Sequence, residues 1–158
     1  MTISNSIPLQ KSKTKPKWSS LGLSHEEFIS LKIQYPSAVK IRPWRLNNGH
    51  VGAIQIQMIG YPNKTKYILI IDFREFPIEM PYAYVRTPLD DQIRHPNIYL
   101  KQKYALAPRL SLCAVCIGDY HNQFLSTGRD RRKRLRFYIH QLQAVLSNPN
   151  YSDPARRN

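Results

Sequence analysis

Cysteine and acidic residues are scarce in this chain, and no apolar run is long. Its 158 residues include only two cysteines, Cys113 and Cys116, which argues against a disulfide framework and favours chemistry at a thiol. The longest apolar run, Tyr67 to Ile71, has the length of a strand and is too short to cross a bilayer. The N-terminus lacks the apolar stretch of a secretion signal. We therefore expect a cytoplasmic protein that does not associate with membranes.

The shortage of acidic residues leaves a strongly positive chain. It has 24 Lys and Arg residues against 10 Asp and Glu residues, for a net charge of +14. Such a charge favours an acidic partner, and nucleic acid is one class of acidic partner. However, the Gly and aromatic pattern of RNA-binding sheets is missing, so nucleic-acid binding ranks last. A basic surface that docks an acidic protein remains open, with charge contributed by residues 11–17 and 129–136.

Hydrophobic periodicity predicts an α+β fold in which helices pack on one antiparallel sheet. Residues 1–20 are expected to be a flexible basic tail and residues 21–158 a single domain. Ser24 and Glu27 form a capping-box pattern at the start of a short amphipathic helix that ends before Pro36 and has Phe28, Leu31 and Ile33 as its apolar residues. The pattern predicts four strands, within 39–44, 51–59, 67–73 and 82–86, followed by an irregular stretch over 88–104. It also predicts a C-terminal helix with an apolar stripe at Leu135, Tyr138, Ile139, Leu142, Val145 and Leu146.

The two cysteines lie in a short extended segment, residues 110–117, which would point one thiol to each face. Cys113 and Cys116 could form half of a zinc site, but a second pair of ligands is missing, and His95 and His121 would join them only by chance. A redox pair should open a helix directly after a strand, which this segment does not do. Both alternatives rank below nucleophilic chemistry.

His95-Pro96-Asn97, a downstream cysteine and the terminal pattern Pro149-Asn150 to Asp153-Pro154 occur in a specific order. With the predicted elements, this order resembles the ubiquitin-conjugating enzyme family over residues 24–154. The resemblance implies that family's fold, with four antiparallel strands between an N-terminal and a C-terminal helix. It also implies an acyltransferase that carries the C-terminal glycine of a modifier protein as a thioester and passes it to a lysine amine.

Two departures from the family pattern indicate which members of the family this chain resembles. The segment between Asn97 and the cysteine is much longer than usual, and an arginine-rich insertion is expected before the final helix. Such departures are similar to divergent bacterial members found in CBASS antiphage operons. That likeness implies a cGAS-like nucleotidyltransferase as the protein that is conjugated through its C-terminus. No cofactor is expected, and an external activating enzyme or a pre-formed acyl donor would be required.

The resemblance also implies roles for individual residues. Cys116, flanked by aliphatic residues, is the preferred nucleophile, although Ser111-Leu112-Cys113 is close to the bacterial relatives and strand alternation favours Cys113. Asn97 would donate its amide to the oxyanion or hold its own turn together. His95 is expected to cap the turn rather than act as a base. Asp153 matches the acidic position near the incoming lysine.

Two other functions remain as alternatives to the enzyme. The first is a catalytically inactive member of the same fold that only binds a protein partner, because the cysteine spacing is shifted. The second is a basic nucleic-acid-binding protein, whose affinity would fall steeply with salt.

Overall fold

Six antiparallel strands and three helices make up the computed structural model, which describes residues 20–41, 45–103, 111–117, 120–128, 130–149 and 151. The predicted α+β class is therefore confirmed. In chain order the elements are α1 (His25–Gln34), β1 (Val39–Lys40), β2 (Ala53–Gly60), β3 (Thr65–Asp72), β4 (Tyr82–Thr87), β5 (Ile98–Lys103), β6 (Ser111–Val115), α2 (Tyr120–Ser126) and α3 (Arg131–Ser147). A 3-10 turn, Asp90–Gln92, precedes β5. The predicted tail falls almost wholly on residues 1–19, outside the described residues.

The sheet has the order β1-β2-β3-β4-β6-β5, and every neighbouring pair is antiparallel. The prediction of four strands was wrong. Within 88–104, which was expected to be irregular, the chain forms β5, and the extended segment after it joins the sheet as β6, between β4 and β5. Pairing between β5 and β6 is a tertiary interaction, so neither strand is obvious from its own residues.

The main core lies between one face of the sheet and α3. The expected apolar stripe of α3 is buried there at Leu135, Tyr138, Ile139, Leu142 and Leu146, while Val145 is partly buried. From the sheet, alternate residues of β2 face the same core, namely Ile54, Ile56 and Met58. The period of 3.6 in the helix and of 2 in the strand is what brings these two faces together.

Helix α1 begins at the predicted capping box. The N–H of Glu27 donates to Ser24 Oγ at 3.1 Å, and the N–H of Ser24 donates to the Glu27 carboxylate at 2.8 Å. Phe28 and Leu31 are buried as the pattern predicts. Ile33 was also expected on the apolar face, but 78% of it is exposed because it lies on the opposite side of the helix.

The arginine-rich stretch is not an insertion ahead of the last helix, as had been predicted. It forms the first turns of α3, where the exposed Asp130 caps the helix by accepting from the N–H groups of Arg132 and Lys133. These backbone hydrogen bonds, chiefly the one from Arg132, lower the pKa of Asp130. A short helix, α2, precedes this cap and buries Phe124 in the core.

Two arginines of this stretch hold the fold together. Arg134 is buried and donates to the carbonyls of Gly128, Pro77 and Leu125, which ties the turns before α3 to its first turns. Arg131 pairs through two nitrogens with the carboxylate of Glu27, at 2.7 and 2.8 Å. The guanidinium group can form several hydrogen bonds at once. Part of the basic stretch therefore makes hydrogen bonds within the protein and is not available on its surface.

No helix within the described ranges is both long and apolar enough to cross a membrane.

Candidate functional site

The His-Pro-Asn turn is fixed to α3 by its histidine. The N–H of Asn97 donates to His95 Nδ1 at 3.1 Å, and His95 Nε2 lies 2.9 Å from the carbonyl oxygen of Val145. Because Nδ1 accepts a hydrogen bond, the ring proton is on Nε2, which donates to Val145. Only 5% of His95 is exposed. Both ring nitrogens are thus engaged in holding the turn, and these are the contacts that a capping role requires.

The β5–β6 hairpin brings Cys116 back to this turn. Ile98 and Val115 pair across the strands, and one residue further out the N–H of Cys116 donates to the carbonyl of Asn97 at 2.7 Å. The described parts of the long segment between the motif and the thiol, β5 and β6, pair with each other. Asn97 and Cys116 are neighbours in space despite their separation along the chain.

Tyr99 completes the surroundings of the Cys116 sulfur. Its hydroxyl donates to Cys116 Sγ at 3.3 Å. Tyr99 pairs with Ala114 in the sheet, and Cys116 lies two positions after Ala114. Cys116 is therefore diagonal to Tyr99 across the strands, within reach of the long tyrosine side chain. The sequence reasoning missed Tyr99. Its position two residues after Asn97 could have indicated it, because residues two apart lie on the same side of an extended chain.

The two cysteines have different surroundings. Only 2% of Cys113 is exposed, and its side chain belongs to the main core beside β4, where it pairs with Val85. Cys116 lies just past the end of β6 and is partly exposed. The alternation argument for Cys113 assumed that the leucine face is the more buried one. In the structure the more buried face is the one that carries Cys113, which packs in the main core. Leu112 and Ala114 lie on the opposite face.

The extended backbone also separates the two sulfurs. Three residues of extended chain span roughly 10 Å between Cα atoms. A disulfide requires a Cα separation below about 7 Å, so Cys113 and Cys116 cannot join without unfolding β6. Among the described residues, no group of three or more His, Cys, Asp or Glu side chains could hold a metal ion. The redox and zinc alternatives therefore have no support in this geometry.

The site thus brings together three of the residues singled out in the sequence. His95, Asn97 and Cys116 lie around one turn, and Asn97 itself is buried. Cys113 is in the core instead, and Asp153 lies outside the described residues. The side-chain amide of Asn97 as an oxyanion donor remains a prediction.

The fold and site together define an α+β protein with a six-stranded antiparallel sheet and a partly exposed cysteine at the base of a hairpin. No protein-family model, no curated protein and no solved structure matches this chain.

Proposed function

We propose that this chain is a thioester-forming enzyme of the ubiquitin-conjugating type, with the fold of that family and Cys116 as its nucleophile. The observation that carries the proposal is the 2.7 Å hydrogen bond between the N–H of Cys116 and the carbonyl of Asn97. It supports a working site in which a rigid turn, held by His95, lies against an accessible thiol. Cys113 is the weaker candidate because its side chain is buried in the core.

The chemistry proceeds in two transfers. The Cys116 thiolate attacks the carbonyl carbon of an activated C-terminal residue, a carbon–sulfur bond forms, and the donor's leaving group departs. A lysine amine then attacks the thioester, and the tetrahedral oxyanion accepts a hydrogen bond from the Asn97 amide. When the carbon–sulfur bond breaks, the Tyr99 hydroxyl donates to the departing sulfur. The amine gives its proton to solvent water, Cys116 is regenerated as a thiolate, and an amide product results.

The partners are part of this proposal. The acyl group comes from a protein with a glycine-type C-terminal tail, which we assign to a cGAS-like nucleotidyltransferase in bacterial antiphage defence in the cytoplasm. The acceptor is a lysine or another amine, and Asp153 orients it. An activating enzyme or a pre-formed thioester donor supplies the energy of the first transfer.

Intact-mass analysis tests the proposal directly. The protein is co-expressed with the products of the genes that flank its own, and its mass is measured before and after treatment with a thiol. Wild type should carry a protein adduct that the thiol removes. Cys116→Ser should carry an adduct that resists thiol but not hydroxylamine, because the ester replaces the thioester. Cys113→Ser is the matched control and should behave as wild type.

Two outcomes would contradict the proposal. An adduct that survives in Cys116→Ala but is lost in Cys113→Ala would assign the nucleophile to Cys113. A wild-type protein that binds a tailed neighbour in a pull-down without any covalent adduct would favour the inactive binding module.

A further inference from the structure

A groove runs between α1 and α3, away from the cysteine site. Two adjoining pockets of about 600 and 670 Å³ form it, and both are lined by Ser30, Leu135 and Arg136. The other lining residues lie at positions 24, 26, 27, 31, 34 and 35 in and beside α1, and at 130–133, 137, 139, 140 and 143 in and beside α3. Neither pocket is lined by His95, Asn97, Tyr99 or Cys116, so the groove is a separate surface.

Polar links at both ends hold the two helices at a fixed spacing. At one end the Glu27 carboxylate pairs with Arg131, and at the other the Tyr35 hydroxyl donates to Gln143 Oε1 at 3.3 Å. Gln143 is itself held, because its amide donates to the carbonyl of Ile59 at 2.7 Å. Between these links the helices leave the groove open. Since its walls are already in place, a ligand would not have to order them on binding.

The groove combines an apolar floor with a positive wall. Leu31, Leu135 and Ile139 form the bottom of the groove, where only 4%, 7% and 3% of each is exposed, and the partly buried Phe137 adds apolar surface beside them. Lys133 and Arg136 are exposed on the α3 side, and neither forms an ion pair with a carboxylate in the part of the chain that the structure describes. Aliphatic surface beneath two cations on successive helical turns suits a ligand with the reverse pattern, in which carboxylates flank apolar side chains.

We propose that this groove binds an acidic amphipathic helix of a partner protein, whose carboxylates meet Lys133 and Arg136 and whose apolar side chains rest on Leu135. Acidic residues one helical turn apart on the partner would match the spacing of these cations. An amphipathic helix in a groove is a common way for one protein to recognise another. The basic segment 11–17 of this chain has the wrong charge to be the occupant.

Carboxylates that lie among the cations of the groove favour a protein over a nucleic acid as the ligand. Glu26 and Asp130 line the pocket next to Arg131. A phosphate backbone is negative along its whole length and would be repelled by these carboxylates. A protein helix can place its acidic residues opposite Lys133 and Arg136 and leave apolar or basic residues opposite Glu26 and Asp130.

Fluorescence anisotropy on the full chain tests this proposal. The probe is a labelled synthetic peptide of Glu residues with Leu at helical spacing, and a peptide with Lys in place of Glu and a labelled single-stranded oligonucleotide serve as comparison probes. The acidic peptide should bind saturably. The double variant Lys133→Glu/Arg136→Glu should weaken it at least about tenfold. This variant should fold, because both residues are exposed and Glu near a helix N-terminus is favourable.

Two further variants make the test specific. Arg45→Glu/Lys66→Glu changes the net charge equally at exposed positions outside the groove, and it should leave the affinity within about twofold of wild type. Ser30→Trp fills the groove without changing charge and should abolish binding. In a Cys116→Ala background the affinity should be unchanged, so the result does not depend on the thioester proposal.

Three outcomes would overturn the proposal. The first is the absence of saturable peptide binding by wild type. The second is an equal loss of affinity in the charge-matched control, which would mean that the peptide responds only to overall charge. The third is an oligonucleotide that binds more tightly than the peptide and loses affinity in Lys133→Glu/Arg136→Glu, which would assign the groove to nucleic acid.

Discussion

The carbonyl oxygen of Asn97 accepts a hydrogen bond from the N–H of Cys116 at 2.7 Å, although the paired strands β5 and β6 lie between the two residues along the chain. The bond continues the ladder that begins between Ile98 and Val115, so the position of the thiol is set by backbone pairing. Backbone pairing is less sensitive to side-chain substitution than packing is. The geometry around the sulfur therefore depends mainly on the hairpin and on His95, which ties the turn to α3.

The two thiols should differ strongly in reactivity. Cys116 is partly exposed and should react with iodoacetamide directly, whereas Cys113 is buried and should react only when the core opens. Each 1.4 kcal/mol of opening free energy slows that reaction about tenfold, so a difference of at least about 100-fold is expected. Mass spectrometry of alkylated peptides over time measures it. In denaturant the two rates should converge, and a faster reaction at Cys113 in the folded protein would contradict the burial.

Tyr99→Phe should slow transfer without unfolding the protein. The change removes the hydroxyl that donates to Cys116 Sγ, and a hydrogen bond to a charged group is worth about 1.5–3 kcal/mol. Under the proposed function, we expect a loss of about 10- to 100-fold in the rate at which the thioester reacts with lysine, measured in single-turnover assays. Tyr99 is 37% exposed, so the free energy of unfolding should change by less than about 0.5 kcal/mol. An unchanged transfer rate would show that the hydroxyl has no role.

His95→Ala should destabilise the protein by about 2–4 kcal/mol. It leaves the buried N–H of Asn97 and the carbonyl of Val145 without the imidazole that now bonds both. His95→Asn should cost less, because an Asn oxygen can accept from an N–H two residues later. Denaturant unfolding measures both variants. Equal losses for Ala and Asn would argue against the turn-capping role, and a loss of transfer with full stability would point to a base.

The Glu27–Arg131 pair should make stability depend on pH. Burial raises the pKa of Glu27, but hydrogen bonds from Arg131 and Ser24 and the positive charge of Arg131 outweigh it, so the pKa in the folded state is lowered. This contribution is present in full above the unfolded pKa of about 4.3 and is lost as pH falls through the lower folded value.

The free energy of unfolding of Glu27→Gln should therefore be about 1.5–3 kcal/mol lower than that of wild type at neutral pH. This difference should shrink in acid. Thermal or denaturant melts across pH 3 to 7, roughly spanning the carboxyl titration, measure this change. Glu26→Gln, on the exposed side of the same turn, is the matched control and should show little dependence. A difference that persists in acid would mean that the carboxylate charge is not the cause.

Local patterns were enough to predict several elements of the fold. The capping box at Ser24, the alternating strand at β2 and the apolar stripe of α3 all follow from side-chain periodicity, which short segments carry by themselves. For the site, the two extended faces of the Cys113–Cys116 segment followed from the same rule.

The remaining features depend on tertiary contacts that the local sequence does not encode. Among the side chains of α2 whose burial the structure describes, residues 122–126, Phe124 alone is in the core, and the helix has few strong helix formers, so its pattern is weak. Arg134 looks like any other member of a basic run, and its burial depends on carbonyls supplied by distant turns. Likewise, Tyr99 meets Cys116 only because β5 and β6 pair in one particular register.

The hairpin between Asn97 and Cys116 has a consequence for how such a protein can vary. An antiparallel hairpin can gain or lose residues in pairs, one on each strand, while its open end stays fixed. Because loop-closure entropy grows slowly with length, each doubling of the loop costs only about 0.6 kcal/mol. The number of residues between the turn and the thiol can therefore change at little cost in stability. The pairing of Ile98 with Val115 cannot change without moving the thiol. Homologues of this chain would be recognised by that pairing rather than by a constant gap.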